Sequence, residues 1–217
     1  VMQVTNYPVA ASTADLERTA VSSAVREQRC QLNELRNEHT VVRVDRVDPI
    51  KNIPAGFRAF AQLLQLHPEL HAKVNFIACL VPGPSDIPEY AACKREIDQE
   101  VDAVNRRFGR DNWTPVTVFY EDNYHRSIAA LIMYDVLLVN PITDGMNLVS
   151  KEGSFVNQKD GVLVLSATAG AYGQLQEGAI PIEPHDIEGT ASAIYRALTM
   201  SSRERKTRSA ALRQAVS

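Results

Sequence analysis

The sequence predicts an α/β domain of Rossmann-like, three-layer architecture with a mostly parallel sheet of about six strands. Short apolar runs punctuate the chain as continuous Val/Leu/Ile stretches, the pattern of strands covered on both faces rather than the alternation of a half-exposed sheet. Amphipathic stretches of helical period separate these runs, and strand-helix alternation is the mark of a doubly wound sheet. No repeat or low-complexity linker interrupts the pattern, so residues 1–217 read as one domain.

In chain order, residues 1–39 form a looser lead-in of strand and helix, with the helix over roughly Ala14 to Leu35. The core strands are expected at Thr40 to Val44, Val74 to Val81, Val116 to Phe119, Val136 to Val139, Val162 to Leu165 and Ala179 to Ile182. A helix from about Pro54 to Leu66 stops before Pro68. The clearest helix runs from about Pro88 to Phe108, with Pro in its first turn, Gly109 past its end, and Tyr90, Cys93, Ile97, Val101 and Val104 along one face. Another starts near Asn147, and Ile187 to Met200 follows the last strand. Ser201 with Glu204 reads as a capping box opening one more helix, whose basic residues, Arg203 to Arg213, read as a solvated face.

Composition narrows the function classes. The 217 residues are 45% hydrophobic and 23% charged, ordinary for a soluble globular domain. A net charge of -3 leaves no basic surplus for a nucleic-acid backbone or an anionic membrane, so neither is expected as a partner. No apolar run reaches the roughly 18 to 20 residues a membrane span needs. Cys30, Cys79 and Cys93 are odd in number and lack C-x-x-C spacing, which argues against disulfides and a zinc site and for a reducing cytoplasm. No Gly-x-Gly-x-x-Gly follows any strand, so a dehydrogenase ranks low. The oligomeric state, a homo-oligomer included, stays open.

Open α/β sheets bind ligands at the carboxyl ends of their strands, so the loops there are the place to look. The segment Val44-Asp45-Arg46-Val47-Asp48-Pro49-Ile50-Lys51-Asn52 offers a guanidinium fork and a point-charge ammonium that can converge on one diphosphate. The segment Asn140-Pro141-Ile142-Thr143-Asp144-Gly145-Met146-Asn147-Leu148-Val149-Ser150-Lys151-Glu152 passes from a buried strand into a helix start, where unpaired N–H groups and the helix dipole favour an anion. Gly145 lets the chain approach a ligand, Asp144 can accept hydrogen bonds from sugar hydroxyls, and Glu152, about two turns into the helix, can accept them from a ribose. The plainer alternative makes Asp144 an N-cap and Glu152 a surface residue. His67, His71 and His185 read as surface residues near turns, and Trp113 as packing.

Taken together, Val-Asp-Arg-x-Asp-x-x-Lys and the later Asp-Gly-Met-Asn-Leu-Val-x-Lys-Glu resemble the trehalose-6-phosphate synthase family of retaining glycosyltransferases. The resemblance continues through Asn112-Trp113-Thr114-Pro115, Gly161 to Ser166, Ala169-Gly170-Ala171 and Ala197 to Met200 to Glu204-Arg205. It implies the C-terminal, donor-binding half of a GT-B enzyme that transfers glucose from a nucleoside diphosphate glucose (UDP or GDP) to glucose 6-phosphate, without a metal or other cofactor. By the resemblance, Arg46 and Lys51 hold the diphosphate, Asp144 and the backbone after it at Gly145 and Met146 hold the glucosyl hydroxyls, Asn147, Leu148 and Val149 lie on the same donor-binding helix start, Glu152 takes the ribose, and Tyr124 lies where a base contact is made.

The sequence also departs from the family pattern. Pro82-Gly83-Pro84-Ser85-Asp86 stands where the family carries a Ser-Arg pair facing the acceptor phosphate, and Asp48-Pro49-Ile50-Lys51-Asn52 replaces the commoner Asp-Tyr-x-Lys-Gly. The second change resembles actinobacterial-type members, among them a pseudo-glycosyltransferase that joins cyclitols through nitrogen, which is the alternative enzyme. A catalytically silent binding domain is the alternative from another class. The acceptor pocket is expected on an N-terminal partner domain outside this chain, Val1 before Met2 reads as an excerpt of something longer, and the isolated chain is expected to be inactive.

Overall fold

The structure, a computed structural model, describes residues 12–110 and 112–217, so the expected lead-in strand before the first helix lies outside the described residues. Six strands form one sheet among the described residues: β1 (His39–Arg46), β2 (Val74–Val81), β3 (Val116–Tyr120), β4 (Val136–Val139), β5 (Val162–Ser166) and β6 (Ile180–Ile182). Every pairing is parallel and the order is β3-β2-β1-β4-β5-β6. The chain builds outward from β1 in one direction, returns to its other side at β4, and continues the opposite way. That reversal is the topological switch point of a doubly wound sheet.

Nine helices cover the two faces among the described residues: α1 (Thr13–Ala20), α2 (Ser23–Leu35), α3 (Ile53–Leu66), α4 (Pro88–Phe108), α5 (Tyr124–Met133), α6 (Leu148–Val156), α7 (Tyr172–Leu175), α8 (Ile187–Thr199) and α9 (Ser202–Val216). Alternation along β1 sends Val41 into one core and Val42 and Val44 into the other. The first core lies under α3, α4 and α8, where the Phe76 ring on β2 meets Phe57 at 5.0 Å and Phe60 at 5.3 Å. The second lies under α1, α2, α5, α6 and α9, around Leu16, Leu32, Ile132 and Leu212. A strand buried on both faces needs no polar positions, which is why its sequence reads as an unbroken apolar run. No helix among the described residues is long and apolar enough to cross a membrane.

Several expectations need correction. The single helix over Ala14 to Leu35 is two, because the Ser22 hydroxyl accepts from the Val25 amide at 3.3 Å and starts a second helix after a break at Val21. The capping box at Ser201 is half formed: Ser201 Oγ accepts from the Glu204 amide at 3.3 Å, but the Glu204 carboxylate accepts from Arg208 at 3.0 Å and Arg196 at 3.3 Å. The basic residues of α9 are not simply solvated. Arg205 donates to the Asp160 carbonyl at 3.1 Å, Arg208 to the Ala179 carbonyl at 3.2 Å and Arg213 to the Asn157 carbonyl at 2.6 Å, so three guanidiniums pin the last helix to the body. Gly109 does follow α4, but at φ -55 it uses no left-handed freedom; an added Cβ would lie 2.4 Å from the Asn105 carbonyl oxygen. Trp113 is packing as expected, buried with its indole N–H on the Val74 carbonyl at 3.0 Å. His67 and His71 are engaged rather than merely peripheral: the His67 ring stacks on Tyr195 at 3.6 Å, and His71 Nε2 lies 2.8 Å from the Leu64 carbonyl.

Candidate functional site

The switch point opens a crevice because the chain leaves β1 toward α3 on one face and leaves β4 toward α6 on the other. After β1, the Val47 amide donates to the Val81 carbonyl at 2.8 Å, and the Asp48 carboxylate accepts from the Ile50 amide at 3.1 Å to cap a 3-10 turn over Pro49–Lys51. Asn52 then takes a left-handed conformation, φ 56, which turns the chain into α3. The two loops are joined directly: the Ile142 amide donates to the Ile50 carbonyl at 2.9 Å.

After β4, Thr168 Oγ1 donates to the Ile142 carbonyl at 2.7 Å and the Gly170 amide donates to the Asp144 carbonyl at 2.8 Å. Gly170 is required for this approach, since a Cβ there would lie 1.9 Å from the Gly145 carbonyl oxygen. Asn147, at φ 45, is the N-cap of α6, with its side-chain oxygen on the Ser150 amide at 2.9 Å. Asp144 is therefore not the cap. Its carboxylate instead accepts from the Asn147 amide at 3.3 Å and from Asn147 Nδ2 at 2.9 Å. Leu148 and Val149 open the helix, where backbone amides have no intrahelical acceptor.

Lys51 and Asp144 meet as an ion pair, and the Lys51 ammonium also lies 3.8 Å from Asp45. Burial acts to raise the Asp144 carboxyl, but hydrogen bonds from Lys51 and Asn147 outweigh it and hold the group below the usual carboxylate range. Asp45 goes the other way, because burial raises it by more than the Arg43 and Lys51 charges lower it. Lys51 was expected to face a ligand, and it does line a cleft, but its charge is already engaged by two carboxylates.

Arg46, Lys51, Tyr124, Val149 and Glu152 line that cleft, about 230 Å³ in volume. The Arg46 side chain is 66% exposed, with only a long 3.4 Å contact to Asp48, so its fork is available to solvent. Glu152 is the fifth residue of α6, just over one turn in rather than two, and is half-buried. It has no ion-pair partner among the described residues, and burial alone raises its carboxyl. Tyr124 is the first residue of α5; burial, then the charge of Glu152, raises its hydroxyl. Met146 and Leu148 lie exposed on the Asp144 side, and a Cβ on Gly145 would meet nothing within 4 Å.

Sequence reasoning missed the support beneath these residues. Arg43, fully buried on β1, donates to Asp45 at 3.0 Å, to Asn140 Oδ1 at 2.5 Å and to the Lys51 carbonyl. The available signal was a lone arginine inside an apolar strand, which is kept only where acceptors surround it.

The family model described as Glycosyltransferase family 20 matches residues 1–217. The chain is 36% identical over 213 residues to the bifunctional trehalose-6-phosphate synthase/phosphatase of Thermoproteus tenax, covering 96% of this chain and 29% of that protein. Among solved structures, the α,α-trehalose-phosphate synthase (UDP-forming) of Burkholderia vietnamiensis is similar with a TM-score of 0.90 at 30% identity, covering 97% of this chain and 47% of that one. An Escherichia coli structure bound with UDP-2-fluoro glucose is similar with a TM-score of 0.88 at 29% identity, covering 97% and 47%. The chain spans less than half the length of each of these proteins.

Proposed function

The chain belongs to glycosyltransferase family 20, and from that membership we propose that it is the donor-binding half of a retaining enzyme that transfers glucose from UDP- or GDP-glucose to glucose 6-phosphate. One observation carries the reading: Arg46, Lys51 and Glu152 line one cleft at the switch point of the sheet, with Asp144 bound to Lys51 at its edge.

In this reading the Arg46 fork and the Lys51 ammonium take the diphosphate, helped by the amides opening α6. Asp144 turns from Lys51 to the glucosyl hydroxyls, Glu152 accepts from the ribose diol, and Tyr124 flanks the base. The bond from C1 to the diphosphate oxygen breaks as the bond to the acceptor oxygen forms on the same face, and the acceptor proton passes to the departing oxygen. Two cations and helix amides can stabilise the charge developing on that oxygen, so the reading requires no metal. The acceptor would be held by an N-terminal partner domain. The test is release of UDP or GDP in the presence of glucose 6-phosphate by the full-length protein containing this chain, with Lys51→Ala beside it. Turnover undiminished in the variant counts against the reading.

A second reading is favoured by the loop after β2, where Pro82, Pro84, Ser85 and Asp86 are exposed and no arginine stands. It keeps the donor site and changes the partner: a pseudo-glycosyltransferase joining cyclitols through nitrogen, or a domain that binds a nucleotide sugar without transferring it. Binding of UDP-glucose without turnover on glucose 6-phosphate separates this reading from the first.

A further inference from the structure

Arg43 is a full charge placed out of reach of bulk water. Its side chain is fully buried, and burial lowers its pKa, yet a guanidinium stays protonated, so the fold must satisfy it with acceptors. The three it finds come from three separate pieces of backbone: Asp45 on β1, the Lys51 carbonyl at the end of the 3-10 turn, and Asn140 just after β4. Asn140 then donates its own Nδ2 to the Asn52 carbonyl at 3.2 Å, and Asn52 donates to the Pro184 carbonyl at 2.7 Å. The ring closes around the Lys51-Asn52 backbone. On α3, Gly56 is the residue that makes space for it, since a Cβ there would sit 2.7 Å from Arg43 Nη1 and 3.3 Å from Asn140 Oδ1.

The far end of the network is the Lys51 ammonium. Asp45 gives one carboxylate oxygen to Arg43 Nε at 3.0 Å and presents the other to Lys51 Nζ at 3.8 Å. We infer that Arg43 is a positioning residue for the donor site, a planar clamp that holds the loops after β1 and β4 in one register and fixes Lys51 by both its carbonyl and its charge. The donor role of Lys51 rests on the function proposed above; the clamp itself rests on geometry alone. Only a forked donor reaches all three acceptors at once, and a lysine at this position keeps the charge but not the fork.

The test is Arg43→Lys in this chain, read by two measurements. Amide hydrogen exchange should accelerate at Lys51, Asn52 and Ile142 while the amides of β2 and β5 stay protected. Calorimetric titration with UDP should show binding weakened by about tenfold, the scale of one lost charge-assisted hydrogen bond. Should Arg43→Lys fail to fold, Asn140→Ala removes one corner of the ring and should give the same local exchange pattern. Unchanged exchange in both loops, or a uniform loss of protection across the sheet, overturns the clamp. A wild-type chain that binds no UDP sinks the donor-site reading instead, and the exchange pattern still decides whether Arg43 holds Lys51.

Discussion

Lys51 and Asp144 stand 93 positions apart in the chain and share an ion pair at the C-terminal edge of the sheet. Each belongs to a different loop of the switch point, so the pair spans the mouth where the proposed ligand enters. With Asp45 behind it, Lys51 faces two carboxylates while Arg46 remains the more exposed cation. Lys51 is thus neutralised by its own neighbours, and the proposed diphosphate must compete with Asp144 for the ammonium.

That competition predicts an asymmetric result for Asp144→Asn. The variant frees Lys51 but keeps a side chain of the same shape, so UDP should bind more tightly, by up to about fivefold for a partly exposed pair. UDP-glucose should lose its advantage over UDP, because the carboxylate proposed to meet the sugar is gone. Parallel calorimetric titrations with the two ligands check this. Weaker UDP binding by Asp144→Asn would show that the carboxylate serves chiefly to hold the loop.

Asp144 and Glu152 should differ in how they respond to pH. Asp144 is held below 3.8, so its contribution to stability is present above that value and is lost as pH falls through its lower folded pKa. Glu152 is raised above 4.5 by burial, so the fold is favoured below 4.5 and loses that advantage as pH rises through the raised value. Glu152→Gln should therefore raise the thermal midpoint at neutral pH and leave it unchanged below 4.5. Equal gains at both pH values, measured by thermal unfolding, would mean that the Glu152 charge is already balanced.

The parts of this architecture that sequence carries best are those with one dominant cause. β2 and α4 lie where their patterns place them, since an apolar run between turn signals and an amphipathic run between Pro88 and Gly109 each have a single reading. The break at Val21 is harder, because the helical period continues across it and only the Ser22 hydroxyl marks the restart. The candidate site was legible as two loops, one carrying Arg46 and Lys51 and the other Asp144 to Glu152. Their closeness follows from β1 pairing with β4, a long-range choice that no local window records. The roles of Arg43, Asn140 and Gly56 stayed hidden for the same reason: each depends on partners brought close only by the fold.

Gly170 and Gly145 provide a paired test that separates packing from ligand contact. Both flank the Asp144 carbonyl, and neither has positive φ, so backbone conformation is not what requires a glycine at either place. At Gly170 a Cβ would lie 1.9 Å from the Gly145 oxygen and 2.8 Å from its carbonyl carbon, both backbone atoms that move only with the whole loop. Gly170→Ala should cost about 1–3 kcal/mol, the range for forcing an extra methyl into a packed site, and displace Asp144 from Lys51. At Gly145 nothing lies within 4 Å, so Gly145→Ala should change stability by no more than about 0.5 kcal/mol. The room beside Gly145 is, in the proposed reading, where the sugar sits against the backbone. Gly145→Ala should then weaken UDP-glucose binding while leaving UDP binding and the thermal midpoint near wild type. If the alanine variant binds both ligands as the parent does, the glucosyl group does not approach this loop, and Asp144 is left with its structural partners, Lys51 and Asn147.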